Sequence, residues 1–332
     1  MSVTSERSGR PLLKWAGGKR QLLPELQRHY PADFSRYIEP FMGSGAVFFD
    51  LFAAGHLEGR SARLVDANPD LIGCYCVLRD ETDAVIAALQ RLAAEHARRG
   101  EAHYYEIRDE HFNRLRREGH RYTPELAAML VYLNRTGFNG LFRLNSRGEF
   151  NVPAGRYTNP RICDPAHLRA VAHAFRSRHV TLECNSFDRP LADAGTGDFV
   201  YCDPPYAPLS ETSRFANYTA AGFTSDDQAR LTAAVVAAAG RGATVVVSNS
   251  SAPLIEKLYS SRAARAVGLK MLRVPARRSI NSVAASRGTV DELLLSNAPI
   301  AASRLAKLET VKSRMAKSTP RRAAAARVGS GQ

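Results

Sequence analysis

The 332-residue chain is 45% hydrophobic, enough for one large or two modest domains, and carries a formal net charge of +14 with a pI near 9.9. No apolar run reaches membrane-span length and no signal-peptide pattern opens the chain, so a membrane partner is not expected. Five cysteines (Cys74, Cys76, Cys163, Cys184 and Cys202) without a CxxC pair argue against a disulfide frame and a zinc site, and for reduced thiols in the cytoplasm; the excess of positive charge points to a polyanionic partner.

Leu12 to Arg20 contains Gly17-Gly18-Lys19 ahead of an apolar pattern that predicts a helix from Gln21, an arrangement suited to an anion cradle. It is not a P-loop, because Leu13 stands where the first glycine belongs and Arg20 replaces the Ser/Thr. Trp15, the only tryptophan, reads from its local pattern as a core anchor. Next, Tyr37-Ile38-Glu39-Pro40-Phe41-Met42-Gly43-Ser44-Gly45 followed by apolar Ala46 to Ala54 predicts strand, glycine turn and helix, the opening of a nucleotide-binding βαβ unit. Gly43 and Gly45 permit close backbone approach, and the lack of a third glycine disfavours a dinucleotide pyrophosphate. A second strand, Ala62 to Val65, ends at Asp66, twenty-one positions after Gly45. That is the place of an acid that bonds ribose hydroxyls; capping of the helix after Asn68-Pro69 is an equal use for it.

From Asp70 to Arg121 the pattern is helical and charged, with breaks at Gly100 and Gly119. His103, His111 and His120 lack metal-ligand spacing, and no metal is expected. Asn134 to Pro153 then carries two glycine turns, Asn139-Gly140 and Arg147-Gly148, that predict a loop and hairpin. Here Arg135, Arg143, Arg147, Arg156 and Arg161 face only Glu149 and alternate with Phe138, Phe142, Phe150 and Tyr157. Basic and aromatic residues on a protruding hairpin can serve phosphates, base edges and stacking gaps, although an ordinary surface hairpin with inward aromatics has the same local pattern.

The buried run Phe199 to Cys202 ends in Asp203-Pro204-Pro205-Tyr206. Two prolines cannot continue a ladder, so a carboxylate, the Pro204 carbonyl and an aromatic ring gather at the carboxyl end of a strand, where open α/β sheets bind ligands. An exocyclic amine on a nucleobase is a poor nucleophile because its lone pair is delocalised. Two acceptors that bond both N–H hydrogens localise that pair and aim it, while Tyr206 stacks on the base. Pro208 to Gly222 reads as a loop, Ser225 with Gln228 as a capping box for a helix to Ala239, Thr244 to Ser248 as a buried strand, and Asp291 to Leu295 as an edge strand or hairpin partner. Between the last two, Arg277 to Ile280 opens a polar loop; Pro299 to Gln332 is a basic tail of net charge +7, half the chain's total.

Together, from about Leu13 to Leu295, these stretches resemble the DNA adenine methylase family of N6-adenine methyltransferases that use S-adenosylmethionine. The resemblance implies an α/β fold: a Rossmann-like methyltransferase sheet with helices on both faces, plus a helical and hairpin DNA-recognition insertion. By the resemblance, residues 1–67 and 165–298 would be the catalytic core and 68–164 the target-recognition insertion; residues 299–332 have no counterpart in the family and are expected to be a disordered, solvated tail, an arm for nonspecific phosphate contact being the alternative. The resemblance assigns Trp15, Lys19, Asp66 and Asp203, with Phe41, Gly43 and Gly45, to S-adenosylmethionine; Asp203, Pro204 and Tyr206 to catalysis; and Lys14, Phe138, Asn139, Leu141, Arg143 and Pro153 to DNA. Phe138 replaces the family's usual Tyr, so it can wedge into the stack but cannot bond through a hydroxyl. The expected partner is double-stranded DNA, read at a short palindrome, GATC, by a protein that is monomeric in solution. The alternatives are an N4-cytosine methyltransferase, for which Ser or Asn would stand at position 203, a glutamine-modifying protein methyltransferase, and a noncatalytic DNA-binding protein on the same fold.

Overall fold

The structure, a computed structural model, describes residues 9–15, 17–119, 121–177, 179–208, 223–277 and 289–299, and of residues 276, 277, 289 and 290 the backbone alone. Residues up to Ala298 form one compact unit. The strands are β1 (Arg36–Glu39), β2 (Ser61–Asp66), β3 (Val180–Cys184), β4 (Asp198–Cys202), β5 (Thr244–Ser250), β6 (Lys270–Arg277) and β7 (Thr289–Ser296). They make one sheet in the order β3-β2-β1-β4-β5-β7-β6. The first five run parallel, whereas β7 is antiparallel to both β5 and β6. Strand order reverses between β1 and β4, and it is beyond the carboxyl ends of such a pair that an open sheet leaves a ligand crevice.

The period-2 alternation of the central strands sends side chains to two cores. Tyr37, Phe199, Tyr201 and Val246 enter one, and Ile38, Val200, Cys202, Val245 and Val247 the other. Both faces of β4 are buried, which is why its sequence reads as an unbroken apolar run.

The helices are α1 (Leu23–Leu26), α2 (Ala46–Ala53), α3 (Pro69–Asp80), α4 (Thr82–Arg99), α5 (Glu101–Glu106), α6 (Asn113–Arg117), α7 (Pro124–Thr136), α8 (Pro165–Phe175), α9 (Asp188–Ala192), α10 (Ser225–Gly240), α11 (Pro253–Tyr259) and α12 (Arg262–Ala266). A π-helical turn, Ile107–Phe112, joins α5 to α6. α2, α3 and α8 contribute Phe48, Phe49, Tyr75 and Phe175 to the first core, and α10 gives Leu231 and Val235 to the second, so helices cover both faces as the sequence predicts.

Three local expectations change. The helix predicted from Gln21 is a 3-10 turn, Lys19–Gln21, followed by the four-residue α1, because Pro24 has no N–H and a helix tolerates it only in the first turn. The capping box of α10 falls one residue earlier: Thr224 Oγ1 accepts from Asp227 N (3.1 Å) and Asp227 Oδ2 accepts from Thr224 N (2.9 Å). Gln228 instead turns inward. For Asp291 to Leu295 the second of the two readings holds: β7 is the inner partner of a hairpin and β6 takes the edge, where Pro275 leaves no ladder donor missing from an inner strand. Finally, Asn134–Thr136 stay in α7, and the hairpin after them is a loop closed by two isolated bridges, Gly137–Ala154 and Leu144–Phe150. The Pro208–Gly222 and Arg277–Ile280 loops and the Pro299–Gln332 tail lie almost wholly outside the described residues.

Candidate active site and nucleic-acid interface

Because β1 and β4 pair in parallel, with Ile38 opposite Val200, the chain leaves both at the same end of the sheet. β1 runs into the glycine turn and β4 into Asp203-Pro204-Pro205-Tyr206. Asp203 keeps about a fifth of its side-chain surface exposed, and its Oδ1 lies 2.9 Å from Lys19 Nζ, which is itself nearly buried and also donates to the Gly17 carbonyl (2.7 Å). Burial pushes the Asp203 carboxyl up to about 6; the Lys19 ammonium opposes that rise and Glu292 adds to it. The same ammonium sits 4.5 Å from the centre of the Tyr206 ring, in cation–π range.

The Pro-Pro turn is held by side chains that carry no signature in sequence. Gln228 Nε2 donates to the Pro205 carbonyl (2.8 Å), Asn249 Nδ2 donates to Gln228 Oε1 (3.0 Å), and Ser250 Oγ donates to the Ala207 carbonyl (2.6 Å). Tyr206 Oη donates to Glu292 Oε2 at 2.6 Å. Deeper still, Glu39 at the end of β1 is buried and its carboxyl is held well above the usual range by burial.

At the glycine turn, Asp66 closes β2 and accepts two backbone N–H groups: Gly43 N on Oδ2 and Asn68 N on Oδ1, both at 2.9 Å. Asn68, not Asp66, caps α3 by accepting from Asp70 N and Leu71 N. Burial raises the Asp66 carboxyl while those two donors hold it down. Gly43 has φ +50°, and a Cβ there would stand 3.0 Å from Trp15 Cδ1. Trp15 is therefore not simply a core anchor: one side borders the turn, and its ring stacks on Phe142 with centroids 5.5 Å apart. Phe41 faces the other way, stacked on Phe187 (5.3 Å) and edge-on to Phe223 (5.7 Å).

The second set of expected residues lies on the loop after α7. Asn134, buried in the last turn of α7, accepts from Lys14 N (2.9 Å) and donates to the carbonyls of Lys14 and Gly140 (both 2.8 Å). One side chain thus ties the N-terminal segment to the loop. Gly140 (φ +64°) is required there, since a Cβ would fall 2.6 Å from Lys14 Cβ. Asn139 takes φ 54°, a left-handed conformation that Asn tolerates better than most residues. Phe138 N donates to the Pro153 carbonyl (2.9 Å), and the Phe138 ring is 49% exposed. Lys14, Asn139, Arg143 and Pro153 are exposed as well, and Leu141 is half-buried. From the helical side, Tyr104 Oη and Arg108 Nη1 donate to the Val152 carbonyl (2.9 and 3.0 Å), and Asn113 exchanges both bonds with Phe150 (2.9 and 2.7 Å). Beside this loop, Lys14, Arg135, Arg156, Tyr157 and Arg161 line a cavity of about 400 Å³.

Among the described residues no group of His, Cys, Asp or Glu is arranged to hold a metal ion, and no helix is long and apolar enough to cross a membrane.

Residues 15–280 match the family model of the D12 class N6 adenine-specific DNA methyltransferases. The chain is similar to the type II methyltransferase M1.LlaDCHI of Lactococcus lactis subsp. cremoris, 37% identical across 87% of this chain and 95% of the relative. It is similar to the type II methyltransferase M.MjaIII of Methanocaldococcus jannaschii at 36%, covering 87% and 99%. The DNA adenine methylase of Escherichia coli is 37% identical over 87% of this chain and 95% of its own length.

Proposed function

The chain belongs to the D12 class of N6 adenine-specific DNA methyltransferases, and on that premise we propose that it moves a methyl group from S-adenosylmethionine to N6 of an adenine flipped out of duplex DNA, within GATC. The observation that carries this reading is the Asp203 carboxylate, held at the strand tip by Lys19 and next to the Tyr206 ring. An N4-cytosine activity and a noncatalytic role are not favoured.

S-adenosylmethionine, when bound, supplies an electrophilic methyl on a sulfonium. Asp66 suits the adenosine end of such a donor: a carboxylate offers about four lone-pair sites, and Gly43 N and Asn68 N are two of its partners. The side-chain-free Gly43 keeps the space beside Trp15 open. Trp15, Lys19, Phe41, Gly43, Gly45 and Asp66 are accordingly assigned to the donor, with Asp203 serving both donor and base.

An adenine inside a stacked duplex cannot reach this crevice, so it must be extruded. Lys19 engages Asp203 Oδ1; the second oxygen and the Pro204 carbonyl then accept the two N6 hydrogens, localise the lone pair and orient it, with Tyr206 on the base face. No strong base is needed, because the proton leaves after transfer and water can take it. Phe138 fills the gap left in the stack, while Lys14, Asn139, Leu141, Arg143 and Pro153 read the neighbouring bases. Residues 68–164 serve as the recognition insertion on a core of 1–67 and 165–298, in a protein that acts as a monomer in the cytoplasm.

The test is transfer of a labelled methyl group from S-adenosylmethionine to duplexes that differ only in a GATC or a scrambled site, followed by mapping of N6-methyladenine. Label on adenine in GATC alone is the expected result. Label on cytosine, on protein or on nothing overturns the assignment.

A further inference from the structure

We propose that Glu292, on β7, is a positioning residue that fixes the Tyr206 ring across the mouth of the adenine pocket. This rests on the adenine-transfer reading above and adds to it a residue that no sequence signature singles out.

Tyr206 is held at both ends. Its hydroxyl donates to Glu292 Oε2 at 2.6 Å, the short distance of a charge-assisted bond. At its backbone end, Ala207 N donates to Asn249 Oδ1 (3.4 Å) and the Ala207 carbonyl accepts from Ser250 Oγ (2.6 Å). Ser250 and Glu292 are register partners across β5 and β7, so one rung of the sheet holds both ends of the tyrosine segment. The same rung continues to Val274 on β6, which makes the acceptor part of a three-strand frame instead of a loop. A ring that hangs from a Pro-Pro turn has free rotation about χ1 and χ2 unless something stops it. Rotation about χ1 would carry the hydroxyl away from Glu292, so a bond at the para position stops that swing; χ2 turns about an axis through the hydroxyl and is not held by it, and one ring face carries Lys19 Nζ 4.5 Å from its centre.

Glu292 also acts on Asp203. The charged and titratable groups around Asp203 are Lys19, Glu292, Glu39, Tyr201, Cys202 and Tyr206. Glu292 adds to the rise that burial imposes on the Asp203 carboxyl. Neutralising Glu292 therefore moves Asp203 ionisation to lower pH, an effect that a merely structural side chain lacks.

The experiment compares wild type, Glu292→Gln, Glu292→Ala, Tyr206→Phe and the double variant Glu292→Ala/Tyr206→Phe, after thermal melts have confirmed folding. Duplex affinity, kcat and the acid limb of kcat/KM against pH are measured on the same adenine site. Expected are a kcat about tenfold lower in Glu292→Ala, a smaller loss in Glu292→Gln, which keeps an acceptor, and duplex affinity within about twofold. The double variant loses no more than the worse single one, and the acid limb of Glu292→Gln shifts to lower pH. Wild-type kcat in both Glu292 variants, or losses that multiply with Tyr206→Phe, overturns the proposal. If wild type itself does not methylate adenine, the failure lies in the underlying reading; if wild type does and the Glu292 variants match it, only this inference falls. Should Glu292→Ala not fold, Glu292→Gln alone decides through its acid limb: an unmoved limb sinks the proposal.

Discussion

Lys19 Nζ bridges the Gly17 carbonyl and Asp203 Oδ1, at 2.7 and 2.9 Å, from a site where only 5% of its side chain meets solvent. The N-terminal Gly-Gly-Lys motif and the Asp-Pro-Pro-Tyr turn, 184 positions apart from Lys19 to Asp203, therefore meet in a single ion pair. Its electrostatic effect is definite in sign. Burial lifts the Asp203 carboxyl to about 6, and the ammonium is the largest influence holding it down. A protonated Asp203 presents a hydroxyl where the amine needs an acceptor, so kcat/KM falls as pH drops through about 6. Removing the cation in Lys19→Met raises the carboxyl further and moves the acid limb to higher pH. Rates between pH 5 and 9 check this; a limb that stays in place in Lys19→Met means that the pair does not govern Asp203.

Asp203→Asn isolates the carboxylate's charge from its shape. The amide oxygen can still accept one hydrogen, but the negative charge that stabilises the positive charge developing on N6 during transfer is gone. Loss of one preorganised electrostatic partner costs on the order of 10²–10³-fold in kcat, and Asp203→Ala loses at least as much. Neither change touches the loop after α7, so duplex affinity stays within about threefold. Single-turnover rates with gel-shift titrations test the split; a parallel collapse of affinity and rate would place Asp203 in folding and not in transfer.

Much of this site is legible because its parts are local. The turn at Gly43-Ser44-Gly45, Asp66 at the tip of β2 and the double proline after β4 each announce themselves within a few residues, since backbone constraint and strand burial act at short range. The supporting residues do not. Asn249 and Ser250 reach the Asp-Pro-Pro-Tyr segment from β5, Glu292 from β7 one strand further out and Gln228 from α10, and that neighbourhood is a product of topology. Strands β3 and β6 are hard to read for a related reason. Both are edge strands; in β3 every residue keeps some exposure and two of its five are exposed, which erases alternation. Asn134 is an intermediate case: it stands in the Asn134–Arg143 stretch, but its grip on Lys14 becomes visible only when residues 120 positions apart are seen together.

Gly43→Ala tests the donor cradle. Its φ of +50° makes any Cβ strained by about 1–2 kcal/mol, and that Cβ would also stand 3.0 Å from Trp15 Cδ1. Gly59 provides the control, with φ +70° and nothing within 4 Å of an added Cβ. Both variants lose comparable thermal stability from the backbone alone. Only Gly43→Ala displaces Trp15, so only it weakens S-adenosylmethionine binding, by about tenfold or more in calorimetric titration. Equal donor affinity in the two variants removes Trp15 and Gly43 from the donor site.

Arg143 separates base reading from phosphate contact. Its guanidinium is exposed and rests on its own loop: Nε donates to Asn151 Oδ1 (2.7 Å) and Nη2 to the Asn151 carbonyl (3.2 Å). Five donors on one planar group leave enough for two acceptors on a base edge while the Asn151 contacts persist, which presents the fork in a fixed plane. A bidentate contact discriminates by about 1–3 kcal/mol, so Arg143→Ala relaxes the preference for the cognate site over a single mismatch by about 5–150-fold. Arg143→Lys restores charge without the fork and leaves discrimination low. Because no phosphate contact is lost, the dependence of affinity on salt keeps its slope. Competition between cognate and mismatched duplexes, repeated across salt concentrations, decides: a uniform loss on every sequence with a slope reduced by about one marks a phosphate contact instead.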